Sequence, residues 1–310
     1  MPYITVHENR IILVDFKADK IMGEMAAHQA PNPSIWKQPY AAPTAVQHIR
    51  RMRGGSQAHL LAASDGHLYI TKFQNNPQHI RVLANEFFAM RIARLLGLPV
   101  SEVKIIAVPE NLVEDNPRLR IELEGRIIPC LSGLQLGTRY AADLWQDRVF
   151  EDLPKAAFER VINRQDFWRI LAFDKWLGNC DARQVLFIRR SNGQQYEATF
   201  IDHGYCFNAA AWNFPDLPLL GTYHQYYVYS GVDGWESFEP TLSSIESLDC
   251  TVLWNLASEI PPEWYQYDHD GLCCLVESLY KRQLSVRSLI LQFRQCSHQP
   301  FPDWKTKVLL

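Results

Sequence analysis

The chain has 310 residues, 47% of them hydrophobic and 21% charged, which is apolar material for a large core and length enough for two lobes around a cleft. A formal charge of −3 leaves no electrostatic footprint for nucleic acid, and no stretch approaches the length of a membrane span, so neither partner is expected. The N-terminus MPYITVHENR has no basic-then-apolar leader pattern, and the seven cysteines are scattered without a CxxC pair, so we expect a reduced, cytoplasmic chain with no structural zinc.

In chain order, ITVHE and RIILVDF read as short strands, and residues 26–43 are rich in Ala, Pro, Asn and Gln. Residues 1–43 are therefore expected to form an N-terminal extension. From Val46 the pattern becomes a β-meander: VQHIRRM, the glycine turn RGGSQ, AHLLAA, the turn SDG, and HLYITKF. A helix over 78–96 follows, ended by Gly97 and Pro99, and then VKIIAV and RLRIELE as further strands. Residues 44–128 thus predict a small β-rich lobe with one helix. Residues 129–310 predict a larger, mainly helical lobe, with helices near 139–152, 154–163, 165–177 and 270–295. One hairpin interrupts it, VLFIRR–SNGQ–YEATFID, with an Asn-Gly turn. The fold class is α+β, in two lobes.

Several charged residues stand in apolar places. By strand alternation Lys72 shares a face with Leu68 and Ile70, opposite Tyr69 and Phe73; a solvent-facing edge lysine is the ordinary reading. Glu86 has Val82, Leu83, Ala89 and Met90 as its helical neighbours. A carboxylate there needs a counter-charge: Lys72 on the sheet, or Arg50 or Arg94 if it lies at the edge of the stripe. In FDKWLGNCDARQVLF, residues 173–187, the side chains of Asp174, Asn179, Asp181, Arg183 and Gln184 crowd a helix–strand junction. The hairpin that begins there returns Asp202 to the same end. Two carboxylates near an amide oxygen suit Mg²⁺, whereas capping and turn formation are the ordinary uses of Asp and Asn.

Taken together, RGGSQ, NEFFAMRIARLLGLP, SGLQLGTRY, GNCDARQVLF and FIDHG resemble the HipA-like kinase domain proteins of bacteria, which have a protein-kinase-like fold. The GN-x-D and DHG pieces are also similar to those of the secretory-pathway kinases. The resemblance runs from about Arg53 to Asp202 and continues weakly through EIPPEWY. It implies an ATP- and Mg²⁺-dependent kinase acting on a hydroxyl, with ATP and a protein Ser/Thr substrate of unknown identity as partners. Gly54, Gly55, Ser56 and Gln57 would cover the phosphates, and Lys72 would contact them and pair with Glu86. Asp181 would be the catalytic aspartate, with Asn179 shaping its loop, and Asp202 and Gln184 would hold the metal. Adenine would lie near residues 127–133. The chain departs from protein kinases in having Leu186 where they place an asparagine five residues after the catalytic Asp, and in lacking HRD, GxGxxG and APE.

Three other functions remain open on the sequence. One is a kinase-like module that binds nucleotide or a partner without turnover. Another is AMP transfer with ATP reversed, which would draw on Arg51 and Arg53. The third is a metal hydrolase built from His203, His224 and Cys206, which lacks HExxH or CxxC spacing. The aromatic run Trp212, Tyr223, Tyr226, Tyr227 and Tyr229 is either core packing or an acceptor-lining segment.

Overall fold

The structure is a computed structural model that describes strands β1 (Thr5–His7) and β2 (Arg10–Ile12) and then residues 42–143, 146–191 and 193–304. Strands β1 and β2 pair antiparallel, Thr5 opposite Ile12, within a unit of residues 1–37. They fall inside the two segments expected as strands. Residues 26–41 of the expected extension lie outside the described residues.

The second unit, residues 38–310, opens with the meander β3 (Ala45–Arg51), β4 (His59–Ala63) and β5 (Leu68–Lys72). Helix α1 (Arg81–Leu95) follows, then β6 (Val103–Val108) and the short helix α2 (Glu110–Glu114). A hairpin of β7 (Arg120–Leu123) and β8 (Arg126–Pro129) leads into β9 (Gly133–Arg139). The sheet has the order β3-β4-β5-β9-β6. Its two edges also approach each other, since Ala107 N–H donates to the Pro43 carbonyl at 3.0 Å. One face buries Leu61, Ala63, Tyr69, Phe73 and Ile106 beneath Val113 of α2 and Leu119, Ile121 and Cys130 around the hairpin.

Strand β9 corrects the expected lobe boundary at 128/129. It lies between β5 and β6, so the small lobe continues to Arg139, and residues 127–133 belong to it rather than to a connection. The chain leaves the sheet after Arg139. Two glycines hid this strand from the alternation pattern. Gly137 is there because β6 comes so close: a Cβ at this position would sit 2.3 Å from Ile106 Cγ1.

The helix expected over 139–152 is also corrected. That region contains β10 (Arg148–Phe150), an edge strand, followed by the single turn α3 (Lys155–Phe158). Helix α4 (Asp166–Leu177) then leads to β11 (Gln184–Arg189) and β12 (Glu197–Ile201), which join β10 in a three-stranded sheet. The tip of the β11–β12 hairpin includes residue 192, outside the described residues. Helices α5 (Thr241–Glu246), α6 (Cys250–Ala257), α7 (His269–Arg282) and α8 (Val286–Arg294) complete the helical lobe. The long helix expected over 270–295 is therefore two, separated by a 3₁₀ turn at Gln283–Ser285.

Candidate active site

Lys72 is the last residue of β5 and sits opposite Leu136 of β9. It is buried, at 6% exposure, and so is Glu86 on α1, at 3%. Lys72 Nζ donates to Glu86 Oε2 and, at 2.8 Å, to Asp202 Oδ1. The lysine is therefore not a solvent-face edge residue, and the partner of Glu86 is Lys72 rather than Arg50 or Arg94. Thr138 Oγ1 of β9 donates to Glu86 Oε1 at 3.4 Å. Asp202 follows β12 in a left-handed backbone conformation, φ 56°, uncommon for a residue with a side chain and frequent at functional sites. Gln184 Nε2, at the start of β11, donates to Asp202 Oδ2 at 3.2 Å.

Burial and charge work against each other in this triad. Burial disfavours the charge on Lys72, yet Asp202 and Glu86 outweigh it and raise the lysine pKa. Burial raises the Glu86 carboxyl against the pull of Lys72. Burial also opposes the charge on Asp202, but Lys72 and, further off, Arg183 hold its pKa below the usual carboxylate range. One ammonium group thus serves two carboxylates in a mostly dry setting, an arrangement expensive for stability unless a function retains it.

The junction of α4 and β11 is organised by a second buried ion pair. Arg183 Nε donates to Asp174 Oδ2 at 2.8 Å and Nη2 to Asp174 Oδ1 at 2.6 Å, a bidentate pair with both side chains almost fully buried. Arg183 Nη1 donates to the Ile201 carbonyl at 2.7 Å, one residue before Asp202. Helix α4 ends with Gly178 in the left-handed conformation, φ 58°, where a Cβ would meet Phe214 Cδ1 at 2.6 Å. Asn179 is buried; its Nδ2 donates to Asp174 Oδ1 at 3.1 Å and its Oδ1 accepts from Asp181 N–H at 3.2 Å. Its amide is committed to the loop, so Asn179 shapes the loop rather than reaching reactants. Asp181 is partly exposed, its Oδ1 accepting from Ala182 N–H at 2.8 Å.

The glycine turn joins β3 to β4. Gly54 has φ 117°, and Gln57 N–H closes the turn on the Gly54 carbonyl at 3.2 Å. The side chain of Gln57, expected among the phosphate-covering residues, is held by the protein itself. It acts as an extra strand residue, accepting from Glu122 N–H at 2.7 Å and donating to the Glu122 carbonyl at 2.7 Å. With Arg51 Nη2 also on its Oε1 at 2.5 Å, Gln57 ties the turn to β7. Gly54, Gly55 and Ser56 remain in the turn.

Asp174 and Arg183 stand out in the sequence without a role, and Thr138 and Asn85 are not among its candidate site residues. Asn85 carried the signal that flagged Glu86, a polar residue amid Val82, Phe88 and Ala89 on a helix. The metal-hydrolase alternative loses its geometry: among the described residues no cluster of His, Cys, Asp and Glu could hold a metal by itself. His203 is fully buried, with burial holding its pKa well below the ordinary imidazole value, whereas His224 is largely exposed. Tyr223 and Tyr229 are buried packing residues: Tyr223 hydroxyl donates to Asp152 and Tyr229 hydroxyl accepts from Tyr223 N–H, while the half-buried Tyr227 donates to the Leu153 carbonyl.

A five-stranded sheet carrying a lysine, a helix delivering its glutamate, and a hairpin that delivers two aspartates define a two-lobed protein-kinase-like fold. The HipA-like kinase family model matches residues 46–285, and the chain belongs to that family. Comparison with curated proteins finds no match. Among solved structures, the Helicobacter pylori proinflammatory kinase CtkA is 15% identical with a TM-score of 0.49, over 79% of this chain and 99% of that one. The Golgi casein kinase with Mn/ADP bound is 13% identical with a TM-score of 0.47, over 91% and 78%. HipA of Shewanella oneidensis MR-1, in complex with HipB and operator DNA, is 12% identical with a TM-score of 0.42, over 91% and 74%. Among the described residues, no helix is long and apolar enough to cross a membrane.

Proposed function

We propose that the protein is an ATP- and Mg²⁺-dependent phosphotransferase that passes the γ-phosphoryl group to a hydroxyl, that of a protein Ser or Thr. The observation that carries this reading is the buried triad in which Lys72 is held between Glu86 and Asp202. Two carboxylates on one ammonium leave a net negative charge, and a bound cation would relieve it. Asp202 and the exposed amide of Gln184 are hard oxygen donors at one edge of the site. That fits Mg²⁺, which takes one or two protein ligands and completes its shell with phosphate oxygens and water. When bound, the metal neutralises charge on the phosphates.

The chain's own residues supply positioning. Glu86, steadied by Thr138, fixes the direction of Lys72, whose ammonium is then placed to hold phosphate oxygens. Asp181, on a loop braced by Asn179 and the Asp174–Arg183 pair, orients the acceptor hydroxyl and takes its proton. Gly54, Gly55 and Ser56 cover the phosphates, within a turn that Gln57 pins to β7. Family membership supports kinase chemistry in general; the nucleotide, the metal and the acceptor class are the parts proposed here.

One observation favours a second reading, a module that binds nucleotide without turnover. Leu186, five residues after Asp181, cannot ligate a metal, which leaves the second-ligand role to Gln184. Intact-mass spectrometry of the purified protein after incubation with ATP and Mg²⁺ separates the cases. A gain of one phosphate supports the kinase; a gain of AMP replaces it with nucleotidyl transfer; unchanged mass together with nucleotide binding favours the module.

A further inference from the structure

Helix α1 presents more than Glu86. Asn85, 1% exposed, uses its whole amide on the segment that follows Asp202. Its Nδ2 donates to the Gly204 carbonyl at 2.9 Å and the Ala209 carbonyl at 2.8 Å, and its Oδ1 accepts from Trp212 Nε1 at 2.7 Å. One turn earlier, Arg81 Nη1 donates to the Ala210 carbonyl at 3.1 Å, and its guanidinium lies 4.3 Å from the centre of the Trp212 ring. Val82 fills the space at Gly204, where a Cβ would come within 2.4 Å of Val82 Cγ1. One turn later, the Phe88 and Phe207 rings are 5.6 Å apart. Arg81, Asn85 and Phe88 form a stripe along α1, adjacent to the one that sends Glu86 to Lys72.

The segment held by this stripe does not support its own shape. Asp202, Phe207, Asn208, Ala209 and Trp212 all have φ between 51° and 60°. Each such conformation is disfavoured for a residue with a side chain and persists only where its surroundings hold it. The compensating contacts come from α1 and from the loop before β11, where Asn208 N–H donates to the Gly178 carbonyl at 3.1 Å and Cys180 N–H to the Tyr205 carbonyl at 3.1 Å. The segment is thus strained and clamped from two sides, and the clamp accepts and donates the hydrogen bonds named above.

We propose that Asn85 is a positioning residue: its amide locks residues 204–212 onto α1, so that Glu86 on the helix and Asp202 at the head of the segment reach Lys72 as one unit. Releasing Asn85 frees both carboxylates from their common frame. The lock itself is independent of the kinase reading; only its consequence for metal and nucleotide rests on that reading.

The test is hydrogen exchange on the unliganded full-length protein, comparing wild type with Asn85→Ala, and with Trp212→Phe in case the first variant folds poorly. Losing the amide's three hydrogen bonds should speed exchange on the order of 10²-fold, and losing the indole donor alone about fivefold. The increase should fall on residues 84–90 of α1 and on residues 203–210 together, with α7 and α8 unchanged. A second arm measures how much Mg²⁺ gives half of the ATP-induced rise in melting temperature. That amount should increase about tenfold in Asn85→Ala, a shift that a purely structural role would not produce. Loosening of only one of the two segments, or a uniform loosening with an unchanged Mg²⁺ requirement, would overturn the proposal. No ATP effect in wild type would instead count against the kinase reading, leaving the exchange pattern to decide on the lock.

Discussion

Replacing Arg183 with Leu removes the group that organises the loop between α4 and β11. The guanidinium makes two bonds to Asp174 and one to the Ile201 carbonyl, with side-chain exposures of 1% for Arg183 and 0% for Asp174. In the variant, Asp174 keeps Asn179 Nδ2 at 3.1 Å but loses its directly bonded cation and retains only the weaker pull of Lys175. An unpaired buried carboxylate of this kind costs about 3–5 kcal/mol, while replacing both partners by apolar residues is far less costly than the sum of the two single losses. Burial already raises the Asp174 pKa against the pull of Arg183, and without that pull it rises further. The folded variant then binds a proton more readily than the unfolded chain, so its deficit relative to wild type should shrink as pH falls toward the carboxylate range. Urea unfolding followed by both far-ultraviolet circular dichroism and tryptophan fluorescence, on Arg183→Leu, Asp174→Leu and the double variant, measures all of this. A single-variant loss below about 1 kcal/mol, or a double-variant loss equal to the sum of the singles, would refute the reasoning.

Asp181→Ala should leave nucleotide affinity near wild type and reduce turnover roughly 10²–10⁴-fold, whereas Asp202→Ala should weaken Mg²⁺-dependent nucleotide binding first; calorimetric titration beside a transfer assay separates the two. His59 is buried against the Arg120 carbonyl and His48, and burial lowers its pKa to about 4. The unfolded imidazole binds its proton near the ordinary value of about 6.5, so between these two values the unfolded state holds more protons. Stability should fall by up to about 3 kcal/mol as pH drops through that window, and His59→Gln should flatten the slope in an acid titration of unfolding. Gly204→Ala forces a methyl against Val82 and should cost about 1–3 kcal/mol in thermal or urea unfolding, with Val82→Ala recovering part of the loss.

The parts of the fold that the sequence revealed are those whose signal is local. The meander from Val46 to Phe73 announces itself by alternation and an Asp-Gly turn, and α1 by its periodicity and the Gly97–Pro99 stop. Strand β9 did not, because Gly137 serves the close approach of Ile106, which the sequence cannot display, and Gly133 takes a positive φ. Residues 139–152 have helical spacing but are extended where β10 pairs with β11, a case of tertiary pairing overriding local preference. In the site, residue type was visible while commitment was not. Lys72 and Glu86 stood out as charges in apolar surroundings. Asn179 was expected to shape its loop, but the partners through which it does so, and the hold of Gln57 on Glu122, are not written in the local sequence. Asn85 shared the signal of Glu86 and was passed over because its partners lie more than a hundred residues away.

On the proposed function, Lys72, Glu86 and Asp202 form a site for a Mg²⁺-bound nucleotide. Thermal-shift titration of the full-length protein with ATP, with and without Mg²⁺, tests it directly. The melting temperature should rise with ATP in wild type, following linkage, rise more with Mg²⁺ present, and respond weakly in Lys72→Ala and Asp202→Ala. An absence of any shift in wild type at millimolar ATP and Mg²⁺, or an equal shift in all three proteins, would contradict it.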